Sequence, residues 1–387
     1  MQIALSNNTI NRISNIQESV FSVHDQEKIL DLLKSHNEKA FRYTQIEHAI
    51  YKDLIQDWNE VTTLAKPLRE ILAQNTSFMS LTIHKRMDSE DGQTSKFLLK
   101  THDDKMIECV IMRHLSGRNT LCVSCQAGCP MACVFCATGK LGLIRNLTFA
   151  EMVEQFMIAE YALKAEWKEL RNVVFMGMGE PFLNYPQVKE AINILTAQKK
   201  LDLSSRRVTI SSCGIVPGIR KFTEDFPQVS LAISLHAPND IARSSIMPVD
   251  HSYPLKDLMA SLDEYCAKTN KRVFYEYIMI SGVTDKLEYM QELADLLKGR
   301  LAHVNFIPYN PGEGIMGVGH KPTSMIIMKK FQQVLEKAWV PSTIRHTMGD
   351  DIAAACGQLA LKEEKHDPSK VPDVLEENRQ ILDSMNN

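Results

Sequence analysis

From Asn119 onward, the sequence alternates between short apolar segments and longer segments with helical periodicity. Short apolar runs bounded by polar residues are typical of buried strands, whereas apolar residues three and four positions apart indicate helices. The predicted strands are residues 172–178, 207–212, 229–236, 272–280, 303–310 and 342–347, and the predicted helices include 149–165, 186–197, 255–269, 286–298 and 323–338. Strands that alternate with helices form a parallel sheet covered by helices, so we expect an α/β fold.

The region before Asn119 has a different pattern. Apolar spacings of three and four over residues 26–75 predict a small helical module, and a period near two over 78–115 predicts short antiparallel strands. Thr148 and Glu151 form a capping-box pattern that should begin the first long helix. We expect four regions: an N-terminal helical accessory domain (1–76), a short β connecting segment (77–115), an α/β region with the strand–helix repeats (116–350), and a C-terminal loop with a mobile acidic tail (351–387).

Composition excludes several classes of protein. With 387 residues, 44% apolar and 24% charged, the chain can close a large core and is not a disordered, collagen-like or small disulfide-rich protein. Its apolar runs are shorter than the roughly 20 residues that cross a bilayer, and its first residues lack the pattern of a secretory leader. We therefore expect a soluble cytoplasmic protein that does not contact membranes.

Charge alone does not identify a partner, because the formal net charge is −3. The balance is uneven along the chain, and residues 113–148 contain no acidic side chain. The basic residues of this stretch are Arg113, Arg118, Lys140 and Arg145. This stretch is either a solvated basic face or a surface for a polyanion.

Five of the nine cysteines lie between Cys122 and Cys136, a crowding that is not typical of a disulfide framework. Cys129, Cys133 and Cys136 have the spacing CxxxCxxC. Three thiolates from one loop can hold three irons of a 4Fe–4S cluster, and this spacing is the signature of enzymes that bind S-adenosylmethionine at the remaining open iron. The same cysteines could instead hold zinc, in a site completed by Cys122 and Cys125.

A second motif, Gly177-Met-Gly-Glu-Pro181, ends the first of the six predicted strands. Its glycines can expose backbone groups to a ligand, and the Glu180 carboxylate can accept a hydrogen bond from an ammonium group. Together with the CxxxCxxC loop, the motif suits the methionyl group of S-adenosylmethionine.

Several segments in order resemble one enzyme family. They are CVSCQAGCPMACVFCATGKLGLIRNLT, GMGEPFLN, RRVTISS, ISLHAPND, IPYNP and GDDIAAACGQLA, and the likeness extends from about residue 40 to about residue 360. The sequence resembles the dual-specificity radical S-adenosylmethionine RNA methyltransferases, the RlmN and Cfr family. The resemblance implies a radical S-adenosylmethionine partial (β/α)6 barrel, one 4Fe–4S cluster held by Cys129, Cys133 and Cys136, and two molecules of S-adenosylmethionine per turnover.

The resemblance also implies a covalent route to an adenine ring carbon. Cys356 matches the residue that the family methylates, Cys122 matches its partner, and Glu108 matches the base that removes the ring proton. A radical formed on the S-methyl group of Cys356 would add to the ring, and Cys122 would help to release the thioether. The residues expected to line the S-adenosylmethionine site are Gly179, Glu180, Ser211, Ser234, Leu235, His236 and Asn310.

The implied substrates are 23S rRNA and transfer RNA, with flavodoxin and its reductase as electron donor and a monomeric enzyme. Lys52, Lys66 and Arg69 of the helical module, and Arg206 with Arg207, are candidates for contacts with RNA phosphates. Pro181 favours carbon 2 of adenine over the Cfr-type carbon 8. The sequence is also compatible with a radical enzyme acting on a protein or small molecule, and with a zinc-containing RNA-binding protein without catalysis.

One residue departs from the family pattern, because Cys125 stands where a serine is expected in CVSSQ. It could act as a redox partner of Cys356, but we favour a passive role as a small buried residue. Cys109 should face the core on the side of its strand opposite Glu108, and Cys213 and Cys266 are expected to be structural.

Overall fold

The computed structural model of the chain describes residues 20–311 and 320–359. The strands are β1 (Phe21–Ser22), β2 (Thr76–Ser77), β3 (Thr82–Asp88), β4 (Thr94–Lys100), β5 (Met106–Arg113), β6 (Asn119–Cys122), β7 (Gln126–Gly128), β8 (Leu143–Asn146), β9 (Asn172–Phe175), β10 (Val208–Ser212), β11 (Ser230–Ser234), β12 (Val273–Met279), β13 (Ala302–Pro308) and β14 (Ser342–Ile344). The expected mobile tail over 360–387 and the N-terminal residues 1–19 lie outside the described residues.

The helices of the same ranges are α1 (Gln26–Ser35), α2 (Arg42–Tyr51), α3 (Lys66–Asn75), α4 (Ala137–Leu141), α5 (Phe149–Lys164), α6 (Tyr185–Thr196), α7 (Val216–Asp225), α8 (Asp240–Ile246), α9 (Leu255–Thr269), α10 (Leu287–Leu297) and α11 (Met325–Lys337). The expected capping box is present at the start of α5, where Thr148 and Glu151 each bond the other's backbone N–H. Helices α4, α7 and α8 were not predicted from the sequence. α4 and α8 have only five and seven residues, too few to show a helical period. α7 does have apolar residues three apart, at Val216, Ile219 and Phe222, and this signal was overlooked.

Ten of the described strands form one sheet in the order β14-β13-β12-β11-β10-β9-β6-β5-β4-β3. The six predicted strands are confirmed as β9 to β14, and β6 joins them as a further parallel strand beside β9. The segment expected to connect two domains instead continues the sheet, since β3, β4 and β5 add to it antiparallel. We call β3, β4 and β5 the wing. The α/β fold class expected from the sequence is confirmed.

The strand register divides the parallel strands into an apolar face and a polar face. Leu231, Ile233 and Val304 of the apolar face are fully buried. On the other face, Cys122 lies opposite Val174, Ser234 opposite Glu276, and Glu276 opposite Asn305. Because side chains alternate along a strand, one face can pack on helices while the other collects polar groups. The polar face is therefore where a site can form.

The chain divides into two compact units, one of which combines the residues up to Ser80 with Ile194–Asp202. This smaller unit contains α1, α2 and α3, which confirms the predicted helical module. Its core includes Trp58, whose indole N–H donates to Thr76 Oγ1 at 2.9 Å and whose ring lies 4.9 Å from that of Phe78. Among the described residues, no helix is both long and apolar enough to span a membrane.

Candidate active site

The CxxxCxxC motif lies in a loop closed at its base by two short strands, β7 and β8, which pair antiparallel. We call residues 126–146 the cluster loop. The close approach of its two ends requires glycine, because a Cβ on Gly128 would lie 1.9 Å from the Gly142 carbonyl oxygen. The Cys129 N–H donates to Gly142 O at 2.9 Å, and the Cys136 N–H donates to Cys133 O at 3.1 Å. These backbone bonds fix the three cysteines on one bend.

The three thiols share one electrostatic environment. Burial raises the pKa of Cys129 well above the ordinary thiol value, and Cys133 and Cys136 add to the shift. Burial and Cys136 likewise raise the pKa of Cys133 to about 12. Three thiols from one loop are a donor set that fits an iron–sulfur cluster, which displaces the thiol protons when it binds. Within 20–311 and 320–359, no three His, Cys, Asp or Glu side chains converge to hold a single metal ion.

The Gly-Met-Gly-Glu turn follows β9 and packs against the chain after β6. A Cβ on Gly177 would lie 2.7 Å from Val123 O, and one on Gly179, where φ is +104°, would lie 2.6 Å from Gln126 Cβ. Both glycines are therefore required by close packing within the protein. Access of a ligand to the backbone was the reason predicted from the sequence for these glycines. Close packing within the protein is a second reason.

Glu180 lies at the end of the turn with its carboxylate buried and anchored. Its two oxygens accept from Phe182 N at 3.0 Å and from Cys213 N at 2.8 Å, and its own N–H donates to Gln126 Oε1. Burial raises the pKa of Glu180, and the two N–H donors offset part of that effect. The Ser212 and Cys213 side chains also bond the carboxylate, so its position at this strand end is fixed.

The remaining predicted cofactor residues lie at neighbouring strand ends. Ser211 and Ser234 are partly exposed on the polar face, and Asn310 follows β13, where its Oδ1 accepts from Thr347 Oγ1 at 3.4 Å. The Leu235 side chain is fully buried, and its N–H donates to Glu276 O. Leu235 can therefore contribute to a ligand site only by shaping the backbone.

His236 connects this edge to the cluster loop. It has a positive φ of 61°, its ring meets that of Phe135 edge-on at 4.7 Å, and its Nδ1 accepts from Ile278 N at 3.0 Å. Burial, together with the Arg243 cation, lowers the pKa of His236 to about 3. The imidazole is therefore neutral near pH 7, and because Nδ1 is an acceptor, its proton is on Nε2.

Arg243, which was not predicted from the sequence, supports the loops that follow β10 and β11. Its side chain is fully buried, pairs with Asp250 at 2.7 Å, and donates to the carbonyl oxygens of Cys213, Leu235 and Ser234. A buried cation needs such partners, and here they are backbone groups of two adjacent strand ends. Arg243 thus fixes the spacing between the loops after β10 and β11.

Cys356 lies in a separate loop, residues 349–359, which we call the Cys356 loop. The loop is attached to the cluster loop, where Ala137 N donates to Gly357 O at 2.8 Å and Thr138 Oγ1 donates to Leu359 O at 2.7 Å. It is also attached to the β3–β4 turn, where Glu90 N donates to Asp351 Oδ2 at 2.9 Å. Cys356 is exposed between these anchors.

The structure brings Cys356 and Cys122 together. Burial raises the pKa of Cys122 to about 12, with Cys356 as the next cause. The Arg345 cation also interacts with the Cys356 thiol. Cys136 interacts electrostatically with Cys356 as well. Cys356 is therefore close enough to interact with both Cys122 and the cluster loop.

Arg345 is held by Glu276 on the polar face. Arg345 donates to Glu276 Oε1 at 2.9 Å, and Asn305 Nδ2 donates to the same oxygen at 2.9 Å. Glu276 Oε2 is buried and has no hydrogen-bond partner in the described part of the chain. Such an oxygen, opposite Ser234 in the register, suits a ligand with hydroxyl or ammonium donors and so fits S-adenosylmethionine.

Glu108 lies on β5, on the same face as Cys122. Val110, two residues along, is opposite Cys122, and Glu108 is opposite Leu98. The Glu108 carboxylate forms a buried ion pair with Lys96 at 3.2 Å. Cys109 faces the other side opposite Phe97, as the sequence alternation predicts.

Three residues near the site, Lys96, Glu276 and Arg345, were not predicted from the sequence. Glu276 carried a signal, because a carboxylate within the apolar strand VFYEYIM indicates a polar environment on one face. Lys96 and Arg345 carried little signal. Lysine and arginine at the edge of a strand are usually solvated, and their partners lie far away in sequence.

The basic residues of 113–148, with Arg206 and Arg207, are divided between ion pairs and the two ends of the parallel strands. Arg113 and Arg145 are tied into ion pairs with Glu166 and Glu151, respectively. Arg118, Arg206 and Arg207 are exposed, but they precede β6 and β10 and so lie at the edge away from the strand ends. Lys140 is exposed in the cluster loop, on the site's own edge.

The helical-module cations make local contacts. Lys52 lies 3.8 Å from Asp202, Lys66 lies 3.9 Å from Glu70, and Arg69 donates to Asn59 O at 2.9 Å. The two ion pairs are long and partly exposed, so an incoming phosphate could replace them at little cost.

Comparisons with known proteins match two family models. Residues 123–297 match the radical SAM superfamily, and residues 23–77 match the ribosomal RNA large subunit methyltransferase N-terminal domain. The chain is 40% identical, over 88% of its length and 94% of the relative's, to a probable dual-specificity RNA methyltransferase RlmN 2 of Protochlamydia amoebophila. It is 43% identical, over 88% and 94%, to a probable dual-specificity RNA methyltransferase RlmN of Thermus thermophilus.

A solved structure gives the same result. The crystal structure of a radical SAM methyltransferase from Sphaerobacter thermophilus superposes with a TM-score of 0.83 and is 40% identical to this chain. The match covers 88% of this chain and 99% of that one.

Proposed function

The chain belongs to the RlmN family of radical S-adenosylmethionine RNA methyltransferases, and we propose that it methylates carbon 2 of an adenosine in 23S rRNA. We propose the same reaction on transfer RNA next to the anticodon. Family membership implies a 4Fe–4S cluster and S-adenosylmethionine, which disfavours a zinc-only site. Two molecules of S-adenosylmethionine per turnover, a flavodoxin-type electron donor, a monomeric enzyme and a cytoplasmic reaction are parts of this proposal.

One observation carries the proposal. The exposed Cys356 lies in a loop that is bonded both to the cluster loop, through Ala137 N and Gly357 O, and to Lys96, the ion-pair partner of Glu108. Glu108 shares the face of Cys122, and Cys356 interacts electrostatically with Cys122 and with Cys136. A cysteine in this position can receive a methyl group from the cofactor side and present it to a base on the other side. An adenine flipped out of its stack would enter between Cys356 and Glu108.

Each group has a role that follows from its chemistry. Cys129, Cys133 and Cys136 would hold the cluster, and the polar groups at the strand ends would hold S-adenosylmethionine. When bound, the cluster supplies the electron that splits S-adenosylmethionine, which supplies the methyl group and the hydrogen-abstracting radical. The candidate ligands are Gly179, Glu180, Ser211, Ser234, Leu235, His236 and Asn310.

The two remaining cysteines and the base act on the methyl carbon and the ring. Cys356 carries the methyl carbon and becomes joined through it to the ring. Glu108 accepts the ring proton. Cys122 gives up its thiol proton and its sulfur bonds to that of Cys356 as the carbon–sulfur bond breaks; the carbon keeps the electron pair of that bond and takes up a proton, which completes the methyl group. The arrangement splits a methylation at a carbon that is not nucleophilic into steps that individual side chains can assist.

Two cysteine variants test the proposal. With the reconstituted full chain and a 23S rRNA fragment, Cys356→Ala is expected to abolish methylation, because no sulfur then carries the methyl carbon. Cys122→Ala is expected to trap an RNA–protein crosslink, visible on a denaturing gel. Cys266→Ala, on α9 far from these groups in sequence, is the matched control and should retain activity.

Mass spectrometry of the nucleosides then identifies the methylated carbon. The proposal expects 2-methyladenosine, whereas 8-methyladenosine would support a Cfr-type reaction. A Cys356→Ala variant that still methylates RNA would contradict the covalent route.

A further inference from the structure

Lys96 is a buried lysine whose ammonium group has two partners. It lies 3.2 Å from Glu108 Oε1, with both side chains at most 6% exposed, and donates to Ala353 O at 3.0 Å. The first partner is the proposed base. The second is a backbone carbonyl of the Cys356 loop, three residues before Cys356.

The strand register explains how these groups meet. Lys96 on β4 is opposite Val110 on β5, and Val110 is in turn opposite Cys122 on β6. Glu108 lies one alternation away from Val110 and so shares its face. The ammonium, the carboxylate and the Cys122 thiol therefore line one surface of the wing and its neighbouring strand.

A buried ion pair of this kind is not explained by stability. Desolvation of two charges offsets most of their attraction, so an apolar pair of similar volume is often equally stable. The charges at this place have a chemical consequence instead. A buried carboxylic acid favours its neutral form, which cannot accept a proton, and an adjacent cation favours the carboxylate.

We propose that Lys96 is a positioning residue that keeps Glu108 as a proton-accepting carboxylate and ties its location to the docked Cys356 loop. This rests on the proposed function, in which Glu108 is the base. In the step concerned, the ring C–H bond breaks, the proton moves to the Glu108 carboxylate, and the electron pair stays with the ring. The hydrogen bond from Lys96 to Ala353 O forms only while the Cys356 loop is docked. Lys96 therefore positions the Glu108 base and Cys356 at the same time.

The test separates the two halves of the reaction in the reconstituted full chain. Mass spectrometry of the protein after incubation with S-adenosylmethionine measures methylation of Cys356, and a denaturing gel after adding a 23S rRNA fragment measures the crosslink. Lys96→Met is expected to methylate Cys356 within about twofold of wild type but to release product at least about tenfold more slowly, with crosslink accumulating. Lys96→Arg, which keeps the cation, is expected to restore most of the release rate.

Lys100→Met is the matched control. Lys100 lies on the same strand, is half-exposed, and pairs with Asp104, so its removal should leave both measurements unchanged. A second comparison protects against a general loss of structure. If Lys96 acts through Glu108, adding Lys96→Met to Glu108→Gln should slow release no further, because the two effects share one step.

Three outcomes would overturn the proposal. Lys96→Met could release product at the wild-type rate, could lower Cys356 methylation and release equally, or could slow release further in the Glu108→Gln background. Failure of the proposed function has a different signature: the wild-type chain would then form no S-methylcysteine and Cys122→Ala would trap no crosslink. In that case the proposed role of Lys96 would be wrong as well.

Discussion

The two loops that meet at the site are held in different ways. The cluster loop is closed by the β7–β8 pair and by backbone bonds such as that from Cys129 N to Gly142 O. The Cys356 loop depends more on side chains, including Asp351, Lys96 and Thr138. Paired backbone strands define one geometry, whereas a side-chain hydrogen bond contributes only about 1 kcal/mol and can be exchanged.

This difference suits the two tasks. A cluster needs its three thiolates in constant positions, because the geometry of the metal site depends on them. In the proposed reaction, Cys356 meets a methyl donor first and an RNA base later. We expect the Cys356 loop to undock and return, while the cluster loop stays closed.

The largest expected effect concerns Gly179, in the turn that packs against the start of the cluster loop. Gly179→Ala should be destabilising by about 3 kcal/mol or more, because the new Cβ would meet Gln126 Cβ at 2.6 Å and φ is +104°. We expect loss of S-adenosylmethionine binding, measured by equilibrium dialysis, and a lower midpoint of denaturant unfolding.

Gly92→Ala in the β3–β4 turn is the control for that variant. Its φ is also positive, +67°, but nothing lies within 4 Å of the added Cβ, so only the conformational cost of about 1 kcal/mol remains. Equal destabilisation of the two variants would show that close packing of the turn is not what makes Gly179 necessary.

A smaller effect is expected where the wing meets the cluster loop. Arg145 on β8 forms ion pairs at 2.7 Å with both Asp103, in the β4–β5 turn, and Glu151. Burial raises the pKa of Asp103, but hydrogen bonds from Arg145 and Thr101 outweigh it and lower that pKa to about 2. Since the folded pKa lies below the unfolded one, the stabilisation is complete above about pH 4 and is lost as pH falls toward 2.

Asp103→Asn should therefore lower the free energy of unfolding by no more than about 1 kcal/mol at pH 7, because the pair is partly exposed. The difference from wild type should shrink as pH falls from 4 to 2, followed by urea unfolding at each pH. A difference that grows in acid would show that the carboxylate does not stabilise this junction.

The sequence predicted the barrel strands and the cluster loop better than it predicted the contacts of the Cys356 loop. The strands β9 to β14 follow from local apolar runs, and the cluster cysteines from their spacing within eight residues. The partners of the Cys356 loop could not be found this way, since Lys96 and Ala353 are 257 positions apart and nothing in the local pattern around Lys96 distinguishes it from a solvated lysine. Resemblance to a family supplied Cys356, Cys122 and Glu108, but not the residues that hold them.

The smallest expected effect is that of Cys125, which would matter only if it formed a disulfide with Cys356. Cys125 is 2% exposed, its N–H donates to Met178 O, and its carbonyl oxygen accepts from Leu147 N and Asn184 Nδ2. Burial raises its pKa well above the ordinary value, with Glu180 as a further cause, so the thiol stays protonated and unreactive near pH 7.

Cys125→Ser keeps the volume and the backbone bonds, and should therefore leave the methylation rate within about twofold of wild type. If Cys125 instead exchanged a disulfide with Cys356, the variant would lose a Cys125–Cys356 crosslinked peptide from non-reducing mass spectra and would slow turnover, and the two loops would then share more than hydrogen bonds.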